Sequence, residues 1–279
     1  MTPHDPKTPR PGAEDSFLEQ MNRELAGWED PVARLHQALD KDELQLFWQP
    51  ILSLRPPGGF HMAEILVRLR EEEALLLPPG DFLPVFEHYR MMGALDRWVV
   101  RNVLRRLSGN AQGRLRRLSV NVSSQTLEDA SFAAFLADEI AVSKAPPQTL
   151  SFEIDESDTL SRLEAAARFA QAVKKCGCKV LIDGFGHRSV SFLGLKTMRA
   201  DFVKVDGSIV RALHRSEVAR QKLKAIVRVG DTIGVEVIAE CVEQPEIVEQ
   251  LRALQVGYAQ GFGIVRPAPI GELAAPRAA

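Results

Sequence analysis

The stretch Lys179–Ser208, KVLIDGFGHRSVSFLGLKTMRADFVKVDGS, holds two apolar runs of strand length separated by a short segment with helical spacing near 190–197. Each run delivers a carboxylate, Asp183 or Asp206, to a glycine that breaks it. Strand, crossover and strand make the unit from which parallel sheets are assembled. A carboxylate carried by a strand into a loop is a common way to build a metal or acid/base site. Its neighbour Gly184 offers no side chain at all.

The same alternation extends outward from this unit. Upstream lie an amphipathic DPVARLHQALDKDEL from Asp30, the strand-like LQLFWQPILSL, FHMAEILVRLR over 60–70, and the helical FLPVFEHYRMMGALDRWVVRNVLRRL. RLSVNVSS, a helix over 130–143, LSFEIDES and a helix over 160–175 then lead into the opening stretch. Downstream come a helix over 216–232, EVIAECVE, a helix over 245–254 and YAQGFG. Pro50 inside the first strand predicts an edge or irregular strand. Eight strands alternating with helices over about 240 residues meet the requirement of a (β/α)₈ barrel. A doubly wound open sheet competes, but its G-x-G-x-x-G phosphate fingerprint after the first strand is absent.

Composition narrows the function. The 279 residues, 45% hydrophobic and 26% charged, suit one large domain. We expect a polar lead-in over 1–29, a barrel over 30–270 and a tail over 271–279. A formal net charge of −2 gives no global attraction to DNA, RNA or an acidic membrane, and no apolar run approaches the length of a span. The cysteines Cys176, Cys178 and Cys241 lack zinc-site spacing and are odd in number, which points to a reducing, cytoplasmic setting. Cys176-Gly-Cys178 reads as a helix end packing small residues, His187 as a solvated loop residue, and the runs Arg114–Arg117 and Glu71–Glu73 as solvated turns.

In a (β/α)₈ barrel the chemistry sits at the C-terminal ends of the strands. The polar residues there are Gln49, Glu64 with Arg68, Asn121, Glu153 with Glu156, Asp183, Lys204 with Asp206, Glu240 with Glu243, and Gln260. Any one of these carboxylates alone reads as a helix cap or a surface charge. Repetition on nearly every strand argues otherwise, because a ring of buried carboxylates is costly without cations. Oxygen donors converging with one lysine suit Mg²⁺ or Mn²⁺ beside a phosphate.

The motifs FWQPI, AEILVRL, LSVNVSSQTL, FEIDES, LIDGFG, FVKVDGSIV, VIAECVEQPE and YAQGFGIVRP run in order from about Pro31 to Pro267. Together they resemble an EAL domain, the family of cyclic di-GMP phosphodiesterases and their degenerate receptor relatives. The resemblance implies a modified (β/α)₈ barrel in which Glu64, Asn121, Glu153 and Asp183 ligate one divalent cation. It places Lys204 near the attacking water and the scissile phosphate, has Glu240 ligate metal or orient water, and has Gln260 support this shell. Gln49, Leu66, Arg68 and Pro267 match positions that hold guanines and phosphates. A homodimer is implied, as is a fused sensory domain or partner protein.

Two departures stand out. Active members usually read Asp-Asp-Phe-Gly where this chain reads Asp183-Gly184-Phe185-Gly186, so the carboxylate directed at a second metal is missing. The following loop, His187-Arg188-Ser189-Val190-Ser191, replaces Thr-Gly-Tyr-Ser-Ser, although Glu156, which resembles the loop's anchor, is kept. The expectation is a cyclic di-GMP receptor with weak or no hydrolysis. The alternatives are an active phosphodiesterase producing linear pGpG and an interaction scaffold that binds no nucleotide.

Overall fold

A computed structural model describes Trp28 and residues 30–41, 43–70, 75–108, 117–187 and 192–272. Outside these lie the lead-in up to residue 27, the tail from 273, Glu71–Glu73, most of the arginine run before Arg117, and Arg188–Ser191 of the altered loop. The chain divides into two compact units: the described residues up to Leu44 with Arg68–Met91, and Gln45–Val67 with the described residues from Met92 onward.

In the first unit, helix α1 (Pro31–Asp40) starts with proline at its first position and Asp30 as cap, the carboxylate accepting from Ala33 N at 3.0 Å. Arg34 pairs with Glu43 and donates to the Arg70 carbonyl at 2.8 Å, while its guanidinium lies 5.4 Å from the centre of the buried Trp28 ring. The short strand β3 (Leu76–Leu77) pairs antiparallel with Leu69 and Arg70, and α2 (Pro79–His88) buries Phe82, Val85 and Phe86. The long helical run expected after Phe82 is interrupted at Arg90, which has a left-handed φ of 56°. A second helix, α3 (Met92–Ser108), begins two residues later in the other unit.

Eight strands form a closed barrel, all within the second unit except Leu44 at the start of β1 and Arg68–Arg70 at the end of β2. They are β1 (Leu44–Ser53), β2 (Gly59–Arg70), β4 (Arg117–Asn121), β5 (Leu150–Asp155), β6 (Lys179–Phe185), β7 (Phe202–Val205), β8 (Glu236–Ala239) and β9 (Tyr258–Ala259). From β2 through β4 to β9 the pairing is parallel, and β1 closes the ring by pairing with β2 and, antiparallel, with β9. This reversed strand is what modifies the regular barrel. Of the two alternatives expected from Pro50, β1 is not an edge but is irregular, its pairing on one side being interrupted. On one side β10 (Ala268–Pro269) pairs at Phe47 and Trp48 and β9 pairs at Leu52 and Ser53, so Pro50 falls between the two ladders and its missing N–H costs no bond there.

Period-two alternation divides each strand between barrel interior and helix layer. Ile51, Met62, Leu181, Phe202 and Ile238 fill the middle of the barrel, with Tyr258 packed against them. Arg117, expected in a solvated turn, is half-buried instead, its guanidinium 4.8 Å above the Phe202 ring. The outer residues Val180, Ile182, Val203, Val205 and Val237 are buried beneath helices that include α5 (Phe132–Ser143), α7 (Leu163–Lys175), α10 (Glu217–Ile233) and α11 (Glu246–Ala253). Phe132, Phe152 and Phe169 form an aromatic seam among α5, β5 and α7, with ring centres 5.5 to 5.9 Å apart. The Cys176–Cys178 segment ends α7, and burial pushes the Cys178 thiol up to about 12, which leaves it inert.

The remaining helices are short and follow strands directly: α4 (Ser124–Glu128), α6 (Glu156–Ser161) and α9 (Gly207–Arg211), with α8 (Leu193–Met198) preceding β7. Their caps, Ser123, Asp155 and Asp206, stand at the C-terminal ends of β4, β5 and β7. Phe152→Ala removes a fully buried ring from the seam and is expected to lower stability by about 3 to 5 kcal/mol, measured by urea unfolding.

Candidate functional site

Lys204 stands at the centre of the C-terminal face. Its side chain is 2% exposed, and Nζ lies 2.5 Å from Glu153 Oε2 and 2.7 Å from Glu64 Oε2. Glu64 also accepts from Asn121 Nδ2 at 3.0 Å and from Gln260 Nε2 at 2.8 Å. Gln260 bridges to Gln49 Oε1 at 3.1 Å, and Gln49 donates to the Val265 carbonyl. Strands β1, β2, β4, β5, β7 and the residue after β9 thus bring six of the expected site residues into one hydrogen-bonded array. Asp96 on α3 steadies it, accepting from Ser123 N at 2.9 Å, Ser123 Oγ at 2.8 Å and Thr126 Oγ1 at 2.6 Å, and so holds the turn that follows Asn121.

The charges do not balance. Burial pushes Lys204 toward neutrality, but Glu153, Glu64 and Asp183 around it hold its proton well above the ordinary lysine range. Burial likewise works against ionised Glu64, and the ammonium with its hydrogen bonds outweighs that and keeps its pKa low. One cation cannot do this twice. Glu153 is pushed up to about 8 by burial and by the charge on Glu64, despite its bond to Lys204. Asp183 is raised by burial, and Glu240 is raised to about 7 by burial and by the Asp183 charge. Glu153 Oε1, Asp183 Oδ1 and Gln260 Oε1 are buried with no hydrogen-bond partner among the described residues.

Unpartnered carboxylate and amide oxygens beside surplus negative charge are the donor chemistry of a hard divalent cation. Among the described residues no three His, Cys, Asp or Glu side chains are already gathered around one cation position. The Lys204 ammonium fills the space between Glu64 and Glu153 instead. The donor set fits a cation; the arrangement is the one adopted when lysine supplies the positive charge.

Other expected residues are placed less centrally. Glu240 accepts from Gly207 N at 2.8 Å at the start of α9. Asp206 caps that helix, accepting from Ser208 N at 2.9 Å, and its second oxygen lies 3.4 Å from Nδ1 of the exposed His187. It is therefore a helix cap first. Glu243 is exposed, 3.9 Å from Arg211. Leu66 on β2 and Pro267 ahead of β10 are half-buried, and Arg68, also half-buried, lies in the first unit. Glu156 receives the Gly186 N–H on both oxygens, at 3.2 and 3.1 Å, and Lys222 donates to the Gly186 carbonyl, so the base of the altered loop is anchored from two sides.

A cleft of about 160 Å³ opens over this array, lined by Gln49, Glu64, Glu240, Glu243 and Gln260 together with Cys241, Gly261 and Phe262. Sequence reasoning passed over the last three. Gly261 must be glycine, because a Cβ there would lie 2.2 Å from both Val242 N and Val242 O. Phe262, an exposed aromatic between two glycines at the cleft, was the legible signal, and Arg266 sits 5.3 Å from its ring centre.

Comparison with known proteins bears on the family and the fold. A family model described as EAL domain matches residues 32–267. The cyclic di-GMP phosphodiesterase PdeF of Escherichia coli is 31% identical over 251 residues, covering 90% of this chain and 33% of that protein. The cyclic di-GMP phosphodiesterase PdeB of Shewanella oneidensis is 30% identical over 240 residues, covering 86% and 28%. The chain thus spans about a third of the length of these curated relatives. The EAL domain of FimX from Pseudomonas aeruginosa, solved bound to cyclic di-GMP, superposes with a TM-score of 0.80 at 28% identity, covering 86% of this chain and 96% of that one.

The raised Glu153 pKa sets a pH dependence. Because the folded value of about 8 exceeds the unfolded value of about 4.3, the native state binds the extra proton between them. Stability therefore falls as pH rises through this window. In EDTA, Glu153→Gln is expected to remove that slope, so its melting temperature gains on wild type by a few degrees between pH 5 and pH 8.5, read by thermal denaturation.

Proposed function

Because the chain belongs to the EAL domain family, we propose that it binds cyclic di-GMP at the C-terminal face of the barrel and acts chiefly as a receptor, with weak cation-dependent hydrolysis. The observation that supports this most directly is the array around Lys204: the chain keeps the hydrogen-bonded acid, amide and ammonium set while residue 184 has no carboxylate. Glu64, Asn121, Glu153 and Asp183 would hold Mg²⁺ or Mn²⁺. Such a cation, when bound, supplies charge stabilisation to a phosphodiester oxygen.

The chain's own groups divide the remaining work. Lys204, whose proton the surrounding carboxylates hold, would place a positive charge against phosphate oxygens and would be freed from Glu153 were a cation to neutralise that carboxylate. Glu240, with a pKa near 7 and its orientation set by the Gly207 N–H, is suited to accept a proton from an attacking water at physiological pH. Gln49 and Gln260 bind each other and Glu64, which orients the acid before ligand arrives. Arg68 is assigned to a phosphate because its planar fork donates two hydrogen bonds. Ground-state contacts of this kind survive a loss of catalytic metal, so binding outlasts turnover.

The second reading, an active phosphodiesterase releasing linear pGpG, is favoured by the completeness of the array and by the names of the curated relatives. No helix among the described residues is long and apolar enough to cross a membrane. We place the domain in the cytoplasm as a two-fold homodimer that reports nucleotide occupancy to a fused domain or partner protein; light scattering on concentrated protein checks the dimer.

Incubating purified protein with cyclic di-GMP and Mn²⁺ while measuring bound nucleotide and pGpG together separates the readings. Stoichiometric binding with little pGpG is expected; rapid conversion would replace the receptor with the enzyme. Arg68→Ala should weaken binding by about 1.5 to 3 kcal/mol, measured by calorimetry, the scale of a hydrogen bond to a charged group.

A further inference from the structure

We propose that Asp155, at the end of β5, supplies the carboxylate that residue 184 lacks, and that with Asp183 it holds a second divalent cation, Mg²⁺ or Mn²⁺. This rests on reading the face as a cation-dependent cyclic di-GMP site.

Four observations converge. First, β5 and β6 are in register so that Asp155 stands directly beside Asp183. Second, a Cβ built on Gly184 would lie 3.8 Å from Asp155 Oδ2, so the space that a side chain at 184 would enter already holds a carboxylate oxygen. Third, Asp155 is held in this pose by its neighbour. Oδ1 accepts from Ser157 N at 2.7 Å and from Ser157 Oγ as the cap of α6, which leaves Oδ2 on the Gly184 side. Fourth, Asp183 Oδ1 is buried without a hydrogen-bond partner, and Glu153, 1% exposed, has an unpartnered Oε1 on the same strand as Asp155.

Neighbouring carboxylates repel one another unless a cation lies between them, and of this pair Asp183 is the one with a buried unpartnered oxygen while Asp155 is exposed. Lys204 is hydrogen-bonded to Glu64 and Glu153, and among the described residues no ammonium is bonded to the Asp155–Asp183 pair. Glu240, whose carboxyl is opposed by the Asp183 charge, is a third oxygen donor in this quarter of the face. The backbone explains why the carboxylate comes from the adjacent strand. Gly184 has a left-handed φ of 69°, where a residue bearing Cβ is strained, whereas Asp155 has the extended φ of −61° and ψ of 141° common for a helix cap.

The test is Mn²⁺ binding to the full chain without nucleotide, by equilibrium dialysis and electron paramagnetic resonance. Wild type should bind two Mn²⁺ with the spin-coupled spectrum of a pair about 3.5 to 4 Å apart. Asp155→Asn and Asp155→Ser both retain a capping oxygen, so α6 should persist by circular dichroism; both should bind one uncoupled Mn²⁺. Moving the carboxylate across, in Asp155→Asn with Gly184→Asp, should restore the coupled pair, and Glu164→Gln on the exposed face of α7 should leave it intact. A single Mn²⁺ in wild type, or a coupled pair that survives in folded Asp155→Asn, overturns the inference. Nucleotide binding is measured separately in EDTA: a coupled pair abolished by Asp155→Asn in a protein that never binds cyclic di-GMP upholds this inference and overturns the proposed function.

Discussion

The ammonium of Lys204, buried against Glu64 and Glu153, governs the whole C-terminal face. A buried charge survives only when it is paired and hydrogen-bonded, and these three side chains, with Asn121 and Gln260 behind them, satisfy that condition from five positions around the barrel. The arrangement ties strands remote in sequence to one another. Its electrostatics also leave a surplus, since one ammonium faces Glu64, Glu153, Asp183 and Glu240. The surplus appears as raised carboxyl pKa values and as buried oxygens with no hydrogen-bond partner among the described residues.

The same balance connects fold to function. A parallel barrel places every strand's C-terminal end on one face, so acids carried by different strands meet there without any long loop. The reversed β1 brings Gln49 into that face, where it bonds Gln260 from the strand beside it. Short helices begin immediately after β4, β5 and β7, and their caps add further polar groups at the rim. In this setting a cap is not merely a terminus. Asp155 caps with one oxygen and turns the other toward the bare backbone of Gly184.

Much of this was legible in the chain. The positions of Glu64, Asn121, Glu153, Asp183, Lys204 and Gln260 could be read because each lies in or at the end of an apolar run of strand length, within a motif that resembles one family. Pro50 was half legible: its lost donor predicts an edge or irregular strand, but that the irregularity is a break between the β9 and β10 ladders, which makes the loss harmless, is a matter of register. Arg117 misled, since nothing local shows that its guanidinium meets Phe202 from another strand. Asp96 was missed because its partners, Ser123 and Thr126, are about thirty residues away in the chain.

By itself the sequence indicated eight strands alternating with helices and the identity of the polar residues at the strand ends, because hydrophobic period and strand-end chemistry are local properties; the reversal of β1 is not among them. Tertiary structure alone decided how charge is shared among those residues. Which carboxylate receives the Lys204 ammonium, which keeps a proton, and that Asp155 rather than residue 184 presents an oxygen beside Asp183 all depend on distances across strands. Coulomb energies and desolvation vary with such distances and with burial, and neither is encoded in the spacing of residues along the chain.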